Sequence, residues 1–154
     1  MNTHIQKVNN DDPMTRLIIC IKKNITLDDG KVIELDNGHF GLIAAHSTGI
    51  AFNAWDNKFE ENLRWFPNYP NIKFNDKYSL EQFNRWRSLS FRKLLLQINS
   101  DKEFETTKEK LIRDEIPFRI CGESAFGSAE VGIVIFPMTK EDTPKYLQFL
   151  KVFK

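Results

Sequence analysis

The sequence predicts an α/β fold, a three-layer α/β/α arrangement with a four-stranded mixed, mostly parallel sheet. Three observations predict it. Four short apolar runs, at 16–22, 91–98, 118–121 and 130–136, are rich in Ile, Val, Leu and Phe; the first, second and fourth have the composition of strands covered on both faces. Helix-period segments separate the first three runs, and alternating strands and helices imply parallel pairing. Only the third and fourth runs are close enough in sequence to pair as an antiparallel hairpin.

The elements follow in order. Residues 1–13 are polar and read as a flexible tail, with no apolar stretch suited to a signal peptide. Residues 14–154 read as one domain, long enough to close a core. Leu17-Ile18-Ile19-Cys20-Ile21 is the first strand, with Lys22 and Lys23 at its end. Asp28-Asp29-Gly30 and Asp36-Asn37-Gly38 are turn signals around a short hairpin arm at Lys31–Leu35. A helix is expected over 41–55, with Ile43, His46, Ile50 and Ala54 on one stripe. Small residues such as Ala44, Ala45 and Ala51 let it lie close to a sheet.

Residues 56–78 hold Pro67, Pro70, Trp65, Phe66 and Tyr69 and read as an aromatic-rich insertion. Ser79-Leu80-Glu81-Gln82 is a capping box opening a short helix to about Leu89, with Tyr78 and Phe83 as its hydrophobic staple. The strand at 91–98 follows. Ser100-Asp101-Lys102-Glu103 caps a third helix, packed through Phe104, Thr107, Leu111 and Ile112. After Pro117 the third strand is expected to be one-sided, since Arg119 alternates with Phe118 and Ile120. The last helix opens at Thr143-Pro144 and docks through Tyr146, Phe149, Leu150 and Phe153.

The net charge of +1 gives no whole-molecule field for nucleic acid, so such a site must be local. The two cysteines, Cys20 and Cys121, fall inside strands and read as buried thiols, not a disulfide framework. No run approaches the length of a membrane span, and the expected location is the cytoplasm.

Ligands of open α/β sheets bind beyond the carboxyl ends of strands. Those ends deliver Lys22, Lys23, Asn99, Ser100 and Gly122-Glu123-Ser124, while the loop into the first helix adds His39. A histidine there suits acid–base work near neutral pH; the plainer reading is a loop histidine bonded to a carbonyl. Glu123 suits orienting a water or a basic group; the plainer reading is an exposed turn cap. His46, inside the apolar stripe, reads as a satisfied core histidine. No acid or cysteine stands at metal spacing from the histidines, so neither metal nor cofactor is expected. Arg85, Arg87, Arg92 and Lys93, with Trp86, form the densest basic segment, suited to phosphate contacts with aromatic stacking or to a plain solvated corner.

The element order resembles the type II peptidyl-tRNA hydrolase superfamily. Gly41-Leu42-Ile43-Ala44-Ala45-His46 resembles that family's Gly-Lys-x-Ala-Ala-Gln helix motif. Phe91-Arg92-Lys93-Leu94 through Asn99-Ser100-Asp101-Lys102-Glu103 resembles its second strand and capped helix. Ile116-Pro117 resembles its Leu-Pro, Glu123 falls at its Asp, and Ile135-Phe136-Pro137 resembles its Ile-Gly-Pro. Leu42 stands where the family has lysine and His46 where it has glutamine. The resemblance implies hydrolysis of the ester between tRNA and peptide. On that reading the expected catalytic residues are His39, Glu123 and Lys31, with Lys22, Lys23, Arg85, Arg87 and Arg92 holding a tRNA partner. The alternatives are a catalytically silent module binding tRNA or a protein, and a small-molecule enzyme. A homodimer is left open.

Overall fold

A computed structural model describes residues 14–56, 78–127 and 129–152. The expected tail, nearly all of the insertion and Phe153 lie outside these residues. Strand β1 is Thr15–Lys22. A short hairpin follows, β2 Asn24–Thr26 with β3 Val32–Glu34. Helix α1 is Asn37–Asp56 and α2 is Leu80–Arg85; a π-helical turn, Trp86–Ser90, leads into β4, Arg92–Ile98. Then come α3 Asp101–Arg113, β5 Phe118–Gly122, β6 Glu130–Thr139, α4 Lys145–Gln148 and β7 Lys151–Val152.

The main sheet has five strands in the order β5-β6-β1-β4-β7, and β2 and β3 form a separate two-stranded sheet. The fold is therefore mixed α/β, but the expectation of a mostly parallel, four-stranded sheet is corrected. Among the described residues only β1 and β4 pair in parallel; β1–β6, β5–β6 and β4–β7 are antiparallel. The strands β1, β4 and β5 do run the same way. The hairpin partner β6 inserts between β5 and β1, however, and turns both of its contacts antiparallel.

The core is the apolar content of these strands. Leu17 through Ile21 and Val131, Ile133, Val134, Ile135 and Phe136 are all fully buried. Each such side chain contributes roughly 1.5–3 kcal/mol on leaving water. Arg119 corrects the one-sided reading of β5. It is buried with its neighbours, its Nη1 donates to Phe118 O at 3.1 Å, and burial lowers its pKa to about 10.

Two capping residues act as their spacing implies. Ser79 Oγ accepts from Gln82 N at 3.1 Å, and Ser100 Oγ accepts from Glu103 N at 3.1 Å. Tyr78 and Phe83 both pack on Phe136, with ring centroids 5.7 and 6.3 Å from it. The C-terminal helix is shorter than expected. It buries Leu147, whereas Phe149 is 83% exposed, and the chain turns into β7. Thr143 does not cap that helix; its hydroxyl donates to Thr139 O at 2.7 Å. Ile112 of α3 is likewise exposed.

Helix α1 starts four residues earlier than expected, because Asp36 caps it. Asp36 Oδ1 accepts the backbone N–H of His39 at 2.9 Å. The Asp-Asn-Gly that reads as a turn is thus the helix start, and His39 lies in the first helical turn, not in a loop. The buried stripe of α1 is Phe40, Ile43, Ser47 and Ala51. It shares Ile43 with the expected stripe but turns His46 outward. Gly132 of β6 admits this helix: a Cβ there would stand 3.2 Å from Cys20 O and 3.6 Å from both Cys121 Cβ and Ile43 Cγ2.

Candidate active site

Glu123 follows β5 directly and opens the short 3-10 turn Ser124–Phe126. Its Oε1 accepts from Ala125 N at 3.3 Å, so it does cap the turn. It is not exposed, however, with only 5% of its surface in contact with solvent. The other oxygen, Oε2, stands 2.6 Å from Nδ1 of His46. No aligned hydrogen bond reaches Oε2 among the described residues. We read the pair as a close approach of ring nitrogen and carboxylate, since the distance is unambiguous while the ring proton is a matter of tautomer.

The histidine side of the pair is 48% exposed and the carboxylate side 5%. A buried carboxylate thus backs an imidazole that opens to water. This corrects the reading of His46 as a core histidine. Ser47, its neighbour, takes the inward position and is fully buried. Beneath the pair lies Cys121, whose thiol is pushed up chiefly by burial; the Ser47 hydroxyl partly offsets this and the Glu123 charge adds to it. Ser47 Oγ makes no strict hydrogen bond among the described residues, so its contact with the thiol is a weak one.

His39, about two turns before His46, belongs to the same edge. Its ring meets Phe126 edge-on at 5.5 Å between centroids. Its Nδ1 accepts the Asp36 N–H at 3.3 Å and lies 3.0 Å from Asp36 Oδ1. Both contacts hold the His39 ring against the Asp36 cap. Asp36 is held below the usual carboxylate range, mainly by the hydrogen bond from His39 N–H. The β2–β3 hairpin also reaches this edge, where Asp28 Oδ2 would lie 3.2 Å from a Cβ placed on Gly127. Lys31 is exposed in that hairpin, and its backbone N–H donates to Asp29 Oδ1 at 2.9 Å.

The expected basic residues divide. Lys23 Nζ donates to Leu35 O at 3.1 Å and approaches Glu34 Oε1 at 3.5 Å, at the root of the hairpin. Lys22 faces α3, with its Nζ 2.9 Å from Asp101 Oδ1 and 4.4 Å from the Phe104 ring centre. Arg85, Arg87 and Arg92 lie at the opposite end of the sheet. Arg92 pairs with Arg16 at the start of β1, whereas Cys121, Gly132 and Ile21 form a row near its end. At about 3.3 Å per residue the two ends are on the order of 20 Å apart. The structure thus brings together Glu123, His39 and the hairpin bearing Lys31, adds His46, and leaves the three arginines elsewhere.

His46 was findable. It lies seven residues after His39, hence on the same helix face, and occupies the glutamine position of the motif that Gly41–His46 resembles. Among the described residues no group of three or more His, Cys, Asp and Glu is placed to hold a metal, and no helix is long and apolar enough to cross a membrane. Comparison with protein-family models and with curated proteins finds no match to this chain.

Proposed function

We propose that the chain is a hydrolase of the type II peptidyl-tRNA hydrolase kind, cleaving the ester between tRNA and peptide with water activated by His46. The observation that carries this reading is the 2.6 Å approach of His46 Nδ1 to Glu123 Oε2. Both residues are substitutions relative to the family pattern, and they meet each other. A proton held on Nδ1 by the nearby buried carboxylate leaves the lone pair of Nε2 free on the half-exposed ring. Nε2 then takes a proton from water as the oxygen attacks the ester carbonyl. When the tetrahedral centre collapses, the ribose oxygen leaves and receives that proton from His46. Lys31 supplies positive charge to the developing oxyanion from the hairpin side.

The accompanying architecture is helices on both faces of the sheet. Ile43 of α1 against Gly132 supports one layer, and Lys22 against Asp101 and Phe104 of α3 supports the other. Two buried free cysteines support a reducing, cytoplasmic setting.

A second reading, a catalytically silent module, is favoured by Leu42, exposed where the family motif carries lysine. Turnover of purified peptidyl-tRNA separates the two. The hydrolase reading expects release of free peptide, a fall of about 100-fold or more in His46→Asn and in Glu123→Ala, and little change in tRNA affinity. Salt-sensitive tRNA retention without turnover supports the silent module. Loss of neither turnover nor binding in both variants removes the pair from the chemistry.

A further inference from the structure

We propose that Phe91 and the cations beside it form a binding site for single-stranded RNA, in which a base stacks on the Phe91 ring and phosphates meet Arg92 and Lys93. The site rests on its own residues and does not depend on the hydrolase reading; it lies at the far end of the sheet from His46 and Glu123.

The backbone is unusual here. The helix after Ser79 ends in a π-helical turn, closed by Phe91 N donating to Trp86 O at 2.8 Å. Such turns recur at functional sites. Phe91 then takes the left-handed conformation, φ 48°, at a helix end where glycine is the unstrained choice. The ring that this strain retains is not absorbed by the core. Phe91 is 43% exposed, although Trp86 and Phe52 back it at centroid distances of 5.2 and 6.1 Å. The Trp86 indole Nε1 donates to Arg92 O at 2.8 Å, tying the platform to the first residue of β4.

The segment itself carries one sign of charge. No Asp or Glu occurs from Gln82 to Asn99, whereas Arg85, Arg87, Arg92 and Lys93 do. Lys93 Nζ lies 3.2 Å from the centre of the Phe91 ring. An ammonium already occupies the ring face, on a flexible stem that can swing aside toward a phosphate while a base takes its place. An aromatic ring flanked by cations is the combination that binds single strands without sequence preference, and arginine forks match phosphate oxygens. Met14 and Leu89 are also exposed nearby, and Ser90 Oγ donates to Thr15 O at 2.6 Å. An anionic bilayer would use the same charges with those apolar groups, so it forms the competing arm of the test.

The test is fluorescence anisotropy with a labelled 12-nucleotide oligouridine at low salt, on the full chain. Phe91→Gly, which removes the ring and relieves the backbone, is expected to weaken binding about tenfold, and Phe91→Tyr to restore it. Replacing Arg92 and Lys93 together by alanine is expected to reduce the slope of log affinity against log salt by about 1.4. Absence of RNA binding overturns the proposal, as does equal binding by the wild type and Phe91→Gly. Phe91-dependent sedimentation with phosphatidylserine vesicles, in the absence of RNA binding, also overturns it and assigns the surface to membranes.

Discussion

At the scale of single residues, chemistry here follows from which neighbour of a pair turns inward. On α1 the choice lay between His46 and Ser47. Counting apolar side chains favours a stripe through His46, but the sheet accepts Ser47, because the small hydroxyl fits against Cys121 while the imidazole remains available to Glu123. Apolarity alone does not encode such a choice; size does. The place of Glu123 at the end of an apolar strand was legible, and its partner was signalled only by the seven-residue spacing of His46 from His39. Cys20 offers a clean check on burial. It is fully buried, and its pKa is pushed up to about 12, chiefly by that burial, with the Glu103 charge adding to it. Native protein at pH 8 should therefore leave Cys20 unmodified by iodoacetamide, and mass spectrometry should find the adduct only after unfolding. The sign of the linkage follows. The folded state favours the neutral thiol, so the contribution of Cys20 to stability is complete below its ordinary pKa and is lost as pH rises toward about 12. Denaturation midpoints should accordingly fall through that alkaline window, and less so in Cys20→Ala after correction for its lost packing.

At the scale of elements, capping was readable and helix length was not. Ser79 and Ser100 announce α2 and α3 through their spacing to Gln82 and Glu103, and both bonds form. Ser100→Ala should cost about 1 kcal/mol, read as a shift in the urea midpoint. Asp36 gives the same kind of signal, but its partner three residues on is His39, not Glu or Gln, and the following Asn-Gly reads as a turn. The start of α1 was therefore misplaced, and His39 with it. The approach of α1 to the sheet depends on Gly132. Adding a methyl group there drives it to 3.2 Å from Cys20 O, a backbone atom that the β1–β6 ladder holds in place. Gly132→Ala should destabilise by roughly 1–3 kcal/mol, and hydrogen exchange should quicken in α1 and at the centre of β6 together. If α1 exchanges unchanged, the helix does not rest on that glycine.

At the scale of the whole molecule, four of the five sheet strands were visible as apolar runs, since burial on both faces leaves an unbroken hydrophobic signature. Strand order was not visible, because composition does not record which neighbour a strand chooses. The insertion of β6 between β1 and β5 is a long-range decision, and so is the separation of the basic segment from Glu123. That separation predicts independence. A double variant, His46→Asn with Phe91→Gly, should show the hydrolytic loss of the first and the RNA-binding loss of the second, adding in free energy to within about 0.5 kcal/mol. Strong coupling between them would mean that one ligand spans both ends. The brevity of β7 has a different consequence. It covers β4 only at Leu96 and Gln97, so the outer edge of β4 from Arg92 to Leu95 has no ladder partner among the described residues. A bare strand edge invites the strand of another copy, and charged side chains on it discourage that union. Arg92 and Lys93 stand on this stretch and are exposed, where their charge opposes such pairing. Replacing both by threonine, which suits strands and carries no charge, should lower the concentration at which light scattering first detects self-association, even where the folded monomer is unharmed.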